Sequence, residues 1–196
     1  MRIFLLARHG KSLFNIDGVV NGDPALDRGL SDAGRANAEA MREQIAAFDI
    51  DLAVTSEFPR AQETASIALG NRDVPHLVLA DLNDVRIGEL EGKTLAEYRE
   101  WKRGHDRSDA FPGGETLVEA ALRYARAYRV VLERPERSIL VLCHEIPVRY
   151  AVNAAGGSSH LDGPEHDIPN AVPFLFGERQ LETATARIDE LAAVEA

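Results

Sequence analysis

The first residues of this sequence that could do chemistry are Arg8 and His9, which follow an apolar run at positions 3–7. Such a run suits a buried strand, and Gly10 behind it lets the backbone turn tightly. In open α/β sheets, ligands bind just beyond the carboxyl ends of the strands. A fixed cation beside a titratable nucleophile at this point therefore predicts a site that handles phosphate groups.

Three more reactive side chains occupy comparable positions farther along the chain. Arg60 begins a predicted helix directly after a strand at 50–55, where backbone N–H groups and the helix dipole already favour an anion. His144 follows the strand at 138–143, and Asp84 lies just beyond another strand. Arginine offers a rigid fork that matches phosphoryl oxygens, histidine can hold a phosphoryl group covalently, and a carboxylic acid can protonate a leaving oxygen. This set of groups needs neither a metal ion nor a cofactor.

Strands alternate with helices along the chain, which predicts an α/β three-layer sandwich: a mostly parallel sheet with flanking helices. Helix starts are marked by Ser56 with Pro59 and by the capping pair Thr116 and Glu119. The tail from Gly177 is weakly patterned, and its end is expected to fray. The predicted strands are 3–7, 50–55, 77–80, 138–143 and 171–176, and the predicted helices are 31–48, 56–69, 116–131 and 147–155.

The composition limits the class of protein and its partners. The 196 residues predict one domain over 1–196, with a small helical insertion at about 93–114. With 22 Lys and Arg against 32 Asp and Glu, the formal net charge of −10 disfavours nucleic acid and membranes as partners. The single Cys143 excludes an internal disulfide framework, and the first residues do not have the pattern of a secretory leader. We therefore expect a cytoplasmic protein that binds a small phosphorylated substrate.

Several short motifs follow one another in order along the chain. They are Arg-His-Gly-x-(Thr/Ser)-x-x-Asn at 8–15, Leu-(Thr/Ser)-x-x-Gly at 30–34, Ser-x-x-x-Arg-Ala-x-x-Thr-Ala at 56–65, Gly-x-x-Glu-Gly at 88–92 and Pro-Gly-Gly-Glu at 112–115. Through these motifs the chain resembles the histidine phosphatase superfamily, in its phosphoglycerate-mutase-like branch, over nearly its whole length. The resemblance implies that family's fold, and the length of the chain is similar to that of the short phosphatase branch.

The resemblance implies a metal-independent phosphomonoesterase that acts through a phosphohistidine on a small phosphorylated metabolite. His9 is then the nucleophile that becomes phosphorylated, and Asp84 is the general acid. The other catalytic residues implied, which hold the phosphoryl oxygens, are Arg8, Arg60 and His144. The substrate-binding residues that we expect are Ser12, Asn15, Asn21, Gly22 and Glu145.

Two positions depart from the family pattern. Where relatives usually have Leu-x-Glu, this chain ends the motif with Asp84. Because the side chain of aspartate is shorter than that of glutamate, Glu89 is an alternative candidate for the general acid. Where relatives mostly have Ser-His-Gly, this chain has Cys-His-Glu, ending in Glu145. A carboxylate inside a phosphate pocket would repel the ligand. We therefore expect Glu145 to face outward, with only its backbone N–H near the phosphate, or to act in substrate selectivity.

Two other groups of residues invite a different chemistry. Cys143 and Arg149 have the Cys-x5-Arg spacing of cysteine phosphatases, but no glycine lies between them, and we interpret Cys143 as a buried strand residue. His160 and His166 lie among acidic residues, as metal ligands do. A solvated loop that lines the mouth of the pocket explains them better.

Two alternatives to a phosphatase stay open. One is a cofactor-dependent phosphoglycerate mutase, whose chains we expect to be longer, with more basic residues at the pocket. The other is a non-catalytic phosphate-binding or regulatory module on the same fold, since a fold alone does not establish chemistry. In relatives the insertion covers the substrate, which makes Trp101 and Arg103 candidates for substrate selectivity.

Overall fold

The computed structural model describes residues 2–194, and within that range a five-stranded sheet forms the centre of the molecule. Its strands are β1 (Ile3–Arg8), β2 (Leu52–Thr55), β3 (His76–Val78), β4 (Ser138–Cys143) and β5 (Phe174–Gly177). Their order is β3-β2-β4-β1-β5, and all neighbouring pairs are parallel except β1 with β5. The carboxyl ends of β1, β2 and β4 therefore meet at one edge, where Arg8 pairs with Cys143 and Thr55 with Leu142.

Helices cover both faces of this sheet. They are α1 (Leu13–Asp17), α2 (Asp32–Gln44), α3 (Pro59–Leu69), α4 (Leu95–Arg103), α5 (Leu117–Leu132), α6 (Glu145–Ala155) and α7 (Glu178–Val194), with short 3-10 helices at Pro24–Leu26, Ala80–Leu82 and Gly88–Leu90. Successive side chains of β1 point to opposite faces. Phe4 and Leu6 join the core under α5, α6 and α7, whereas Leu5 and Ala7 join the core under α2 and α3. This layering confirms the predicted α/β three-layer sandwich.

The tail beyond Gly177, which is weakly patterned in the sequence, forms a long helix. Helix α7 packs against α5 and α6. Its buried residues recur at helical spacing, but several of them are small or polar, so the apolar stripe is weak in the sequence. The face is nevertheless buried, because α5 and α6 pack against it. Residues 195–196, which belong to the end expected to fray, lie outside the described range. The buried residues are Leu181, Ala184, Thr185, Ile188, Leu191 and Ala192.

Some element boundaries also differ from the predicted ones. Strand β5 begins at Phe174 and not at 171, because its register with β1 pairs Phe174 with Leu6 at one end. Strand β3 ends at Val78 and not at 80. Helix α6 begins at Glu145 and not at 147, which places the Glu145 side chain in the first turn.

The segment at 93–114, predicted as a helical insertion, contains α4 and a loop. The Trp101 ring stacks on Phe111 with centroids 4.2 Å apart, and Tyr98 stacks on the same ring at 5.6 Å. Because Phe111 is buried in the main core, these contacts hold α4 against the body of the protein. None of the helices within residues 2–194 has the length and apolar character that crossing a membrane requires.

Candidate active site

His9 stands at the carboxyl end of β1, in a defined tautomer. Its Nδ1 lies 2.7 Å from the Gly10 carbonyl oxygen, which can only accept, so Nδ1 carries the proton. The Nε of Arg60, which can only donate, lies 3.0 Å from His9 Nε2, so Nε2 presents its lone pair. Burial lowers the pKa of His9 well below its usual value, and the charges of Arg60 and Arg8 lower it further. The ring is therefore neutral, with a nucleophilic nitrogen in place.

The backbone next to His9 is held in place by α3, the helix that carries Arg60. The Gly10 N–H donates to Thr64 Oγ1 at 2.9 Å, and the Thr64 hydroxyl in turn donates to the Arg60 carbonyl at 2.7 Å. A Cβ atom on Gly10 would lie 2.4 Å from the Gly34 carbonyl oxygen, so only glycine fits there. The turn that aims His9 thus depends on close contact between the loop after β1 and the start of α2.

The guanidinium of Arg60 is the centre of the cluster. Arg60 lies in the first turn of α3, is 3% exposed, and donates to Asn21 Oδ1 at 2.6 Å as well as to His9. The fully buried Asp27 side chain accepts the Arg60 backbone N–H at 2.8 Å and its Nη1 at 3.1 Å. Asp27 is a functional residue that the sequence analysis missed. The only signal for it was an acid within a long irregular loop after a strand.

His144 lies beside His9, between β4 and α6, and is fully buried. The two ring centroids are 5.3 Å apart, and Arg60 Nη2 lies 3.2 Å from His144 Nδ1. Ser56 Oγ lies 2.9 Å from His144 Nε2, so the Ser56 side chain holds this ring. Ser56 was predicted to cap α3, but the residue at the N-cap position is Phe58. Burial lowers the pKa of His144 well below its usual value, and Arg60 is the next largest cause.

Asp84 reaches the same cluster from the loop after the second 3-10 helix. Its Oδ2 lies 3.4 Å from Arg60 Nη2 and 3.4 Å from His144 Nδ1. Burial raises the pKa of Asp84 above its usual value despite the opposing charge of Arg60. This carboxyl group is therefore suited to carry a proton. The alternative acid, Glu89, is exposed and is not among the residues that line the cavity, so the geometry favours Asp84.

A buried ion pair braces the loop that carries Asp84. Arg123 of α5 donates to the carbonyl oxygens of Asp81 at 3.0 Å, Asn83 at 2.8 Å and Asp84 at 3.2 Å. Glu115, which is 1% exposed, accepts from the Arg123 guanidinium. Neither residue was singled out from the sequence, although Glu115 ends the Pro-Gly-Gly-Glu motif.

Glu145 does not face outward as expected. Its Oε2 lies 2.7 Å from Arg8 Nη1, and its Oε1 lies 3.1 Å from Nη1 of Arg149, one turn along α6. The two guanidinium groups draw the carboxylate into the cavity. Arg8 Nη1 also donates to the Ile168 carbonyl at 3.0 Å, while Arg8 Nε is buried and has no hydrogen-bond partner among the described residues.

The four other predicted substrate-binding residues also line the cavity. Ser12 and Asn15 bond to each other across the first turn of α1, each side chain accepting from the backbone N–H of the other. Asn21 and Gly22 donate to the carboxylate of Glu91, which holds their loop in place. Glu91 is a second supporting acid that the sequence analysis did not single out, although it belongs to the Gly-x-x-Glu-Gly motif.

Arg8, His9, Arg60, Asp84 and Glu145 line the same cavity, whose volume of about 880 Å³ is large enough for a phosphoryl group and a leaving group. His144 is fully buried and is not among the lining residues. Trp101 is not among the lining residues because it packs on Phe111, so it does not qualify as a selectivity residue, whereas Arg103 lines the wall. The outer wall also includes His166 and Asp167, as expected for the loop at the mouth. Helix α4 contributes Leu95, Ala96, Tyr98, Arg99, Lys102 and Arg103 to this wall.

Two other chemistries suggested by the sequence find no support in the geometry. Among residues 2–194, no three or more His, Cys, Asp or Glu side chains are grouped so that they could hold a metal ion, and this includes His160 and His166. Cys143 is fully buried in β4, and burial raises the pKa of its thiol to about 12. A thiol in that state is a poor nucleophile, which agrees with the interpretation of Cys143 as a strand residue.

Comparison with known proteins gives the family. The 2,3-bisphosphoglycerate-dependent phosphoglycerate mutase 2 of Gloeobacter violaceus is 34% identical over 191 residues, which cover 90% of this chain and 85% of the mutase. The corresponding mutase of Methylobacterium radiotolerans is 31% identical over 193 residues and 89% of each chain. The alpha-ribazole phosphatase of Shigella flexneri shares the fold, with a TM-score of 0.76 at 23% identity over 88% of this chain and 89% of the other. A model of the histidine phosphatase superfamily (branch 1) matches residues 4–173, so the chain belongs to this superfamily, as its motifs indicated.

Proposed function

We propose that this protein is a metal-independent phosphomonoesterase that hydrolyses a small phosphorylated metabolite through a phosphohistidine on His9. One observation carries the proposal: the Nε2 lone pair of His9, the guanidinium of Arg60 and the protonatable carboxyl of Asp84 converge in one cavity. Phosphoryl transfer is catalysed largely by positioning and by stabilising charge on the transferred oxygens. These three groups supply a nucleophile, a cation and an acid for that purpose.

In the first half of the reaction, His9 Nε2 attacks phosphorus and a P–N bond forms while the ester P–O bond breaks. Arg8 and Arg60, which line the cavity, hold the phosphoryl oxygens. His144, to which the family resemblance gives the same role, is fully buried, with its Nδ1 3.2 Å from Arg60 Nη2. Asp84 gives its proton to the leaving oxygen, so that a neutral alcohol departs.

In the second half, the Asp84 carboxylate takes a proton from water as the water oxygen attacks phosphorus. The P–N bond breaks and its electron pair returns to His9 Nε2. Inorganic phosphate leaves, and the neutral histidine and the protonated aspartic acid are restored. The same carboxyl group thus acts first as acid and then as base.

The substrate class follows from size and charge. A cavity of about 880 Å³ suits a small molecule, and a net charge of −10 suits neither nucleic acid nor an anionic membrane. The single cysteine motivates the cytoplasmic location, which stays a prediction.

A phosphoglycerate mutase is the second candidate, because several relatives carry that name. Chain length does not separate the two reactions as expected, since this chain covers 85% of the Gloeobacter mutase. The two reactions share the phosphohistidine and differ in whether water or a second substrate molecule receives the phosphoryl group.

The proposal is tested by following phosphate release from 4-nitrophenyl phosphate in the presence of EDTA. We expect turnover that resists the chelator, since the protein's own cations neutralise the phosphoryl charge. In parallel, 3-phosphoglycerate is incubated with and without 2,3-bisphosphoglycerate, and we expect no isomerisation. Isomerisation faster than phosphate release would establish the mutase instead, and turnover that EDTA stops and a divalent ion restores would overturn the metal-independent mechanism.

Replacing Asp84 with asparagine is expected to separate the two halves of the reaction. Nitrophenolate leaves without a proton, whereas an alkyl leaving group needs one. We expect D84N to lose about 10²–10⁴-fold in kcat/KM on glycerol 2-phosphate and much less on 4-nitrophenyl phosphate. With the aryl ester, D84N should release one burst of nitrophenol and accumulate phosphorylated protein, because water then lacks its base. Equal losses on both esters without a burst would contradict this role.

The pH profile gives an independent check on Asp84. Its pKa is raised, and the acid must be protonated for the first step, so kcat/KM on the alkyl ester should fall as the pH rises through that pKa. The D84N variant has no proton to lose at this position. Its residual activity should therefore lack this alkaline decline, and a decline that persists would assign the titration to another group.

A further inference from the structure

The Glu145 carboxylate is placed where an anionic substrate group would be expected to bind. It accepts from Arg8 Nη1 at 2.7 Å and from Arg149 Nη1 at 3.1 Å, so it bridges two guanidinium groups on the cavity wall. Its side chain is 29% exposed, which leaves it open to the cavity that it lines. The carboxylate therefore neutralises two guanidinium groups that could otherwise bind a second anion.

Arg149, one of the two arginines that contact Glu145, has little capacity left for another anion. Arg149 is also bonded through Nη2 to Asp162 at 2.7 Å, and its Nη1 donates to the His166 carbonyl at 3.3 Å. Asp162 additionally forms an ion pair with Arg107. A substrate carboxylate or second phosphoryl group bound by Arg8 and Arg149 would have to displace protein carboxylates from both of them.

Glu145 nevertheless does not contact the groups that surround the nucleophilic nitrogen. The groups around His9 Nε2 are Arg60 and His144, and neither is bonded to Glu145. Arg8 keeps its buried Nε without a partner among the described residues. Asp84, the acid that lies near both Arg60 and His144, is the one that carries a proton in the mechanism, and Glu145 helps to raise its pKa. The negative charge thus lies beside the phosphoryl group and not on it.

We propose that Glu145 determines specificity at this site: its carboxylate accepts hydrogen bonds from hydroxyl groups next to the phosphoester and rejects substrates with a second anion there. The inference rests on the proposed function and narrows its substrate class to phosphomonoesters of polyhydroxy compounds. Specificity of this kind comes from repulsion as much as from attraction. It also favours hydrolysis over the mutase reaction, whose substrate carries a carboxylate near the phosphoester.

The test compares two ligands that differ at one group: glycerol 2-phosphate has a hydroxymethyl group where 2-phosphoglycerate has a carboxylate. Their dissociation constants are measured by calorimetry in the H9A background, where neither is turned over. We expect H9A to bind glycerol 2-phosphate about tenfold or more tightly than 2-phosphoglycerate. Adding E145Q, which keeps the shape of the side chain but removes its charge, should change the ratio of the two dissociation constants about tenfold in favour of 2-phosphoglycerate.

The matched control is D167N, which removes a carboxylate from an exposed residue at the mouth of the same cavity. It should change the ratio less than about threefold, because the repulsion is local and solvent screens the outer charge. Glu145→Gly, which removes the side chain altogether, is a second variant should E145Q not fold.

The outcomes separate this inference from the proposed function. The role of Glu145 would be overturned if both ligands bind but E145Q and E145G leave the ratio of their dissociation constants unchanged. It would also be overturned if the H9A protein binds 2-phosphoglycerate more tightly than glycerol 2-phosphate. Either result would leave the phosphatase proposal standing. Failure of both ligands to bind any variant would contradict the phosphate pocket, and both proposals would fall. A merely structural role for Glu145 would weaken both ligands equally and leave the ratio unchanged.

Discussion

Replacing His9 with alanine should reduce kcat/KM on every phosphomonoester by about 10⁴-fold or more, because the proposed mechanism runs through a covalent intermediate on His9. The structure presents His9 Nε2 as an unprotonated lone pair beside Arg60, fixed by the bond from Nδ1 to the Gly10 carbonyl. Rapid quenching of the native protein with substrate should give a mass increase of one phosphoryl group. The H9A protein should give none.

The control for this experiment is His160→Ala, which removes an exposed histidine that does not line the cavity. It should retain activity within about twofold, since surface substitutions away from special features have small effects. Thermal unfolding of both variants checks that they are folded. A phosphorylated H9A protein, or one with near-native turnover, would assign the nucleophile to another residue.

Replacing Arg60 with alanine should damage both activity and stability, and the two losses have different causes. Activity falls because one guanidinium contacts His9, His144 and Asp84 together, and we expect about a 10³-fold decrease in kcat/KM. Stability falls because the fully buried Asp27 carboxylate loses its charged partner. Breaking a buried pair in this way costs about 3–5 kcal/mol in the free energy of unfolding.

A second substitution separates these causes. In the double variant R60A/D27N the buried charge is gone, so chemical denaturation should show that part of the stability has returned while activity stays at the R60A level. Arg60→Lys keeps the charge but offers a single nitrogen in place of a fork, and it should remain severely impaired in activity. Recovery of turnover in R60A/D27N, or an unchanged unfolding midpoint in R60A, would contradict the role assigned to the Arg60–Asp27 pair.

Where the sequence analysis was wrong, the deciding contacts join residues that are distant in the chain. Ser56 has the sequence of a helix cap, yet its hydroxyl meets His144, 88 residues away. Glu145 looked unfavourable in a phosphate pocket, but Arg8 and Arg149 offset its charge and turn it inward. Helix α7 looked weak because alanine and threonine carry little hydrophobic signal on their own. Its neighbours α5 and α6 supply the missing surface.

The sequence by itself determined the layered α/β fold and predicted where β2 and β4 end, because apolar runs and turn residues are local patterns that survive without tertiary information. Arg8, His9 and His144 could be placed at one sheet edge since carboxyl ends of parallel strands must meet there. Only the tertiary structure decided which partners complete the site: Asp27 under Arg60, Glu91 under the Asn21 loop, and Glu145 between two arginines. These are pairings of charge across the fold, and their energy depends on distances and burial that no single segment specifies.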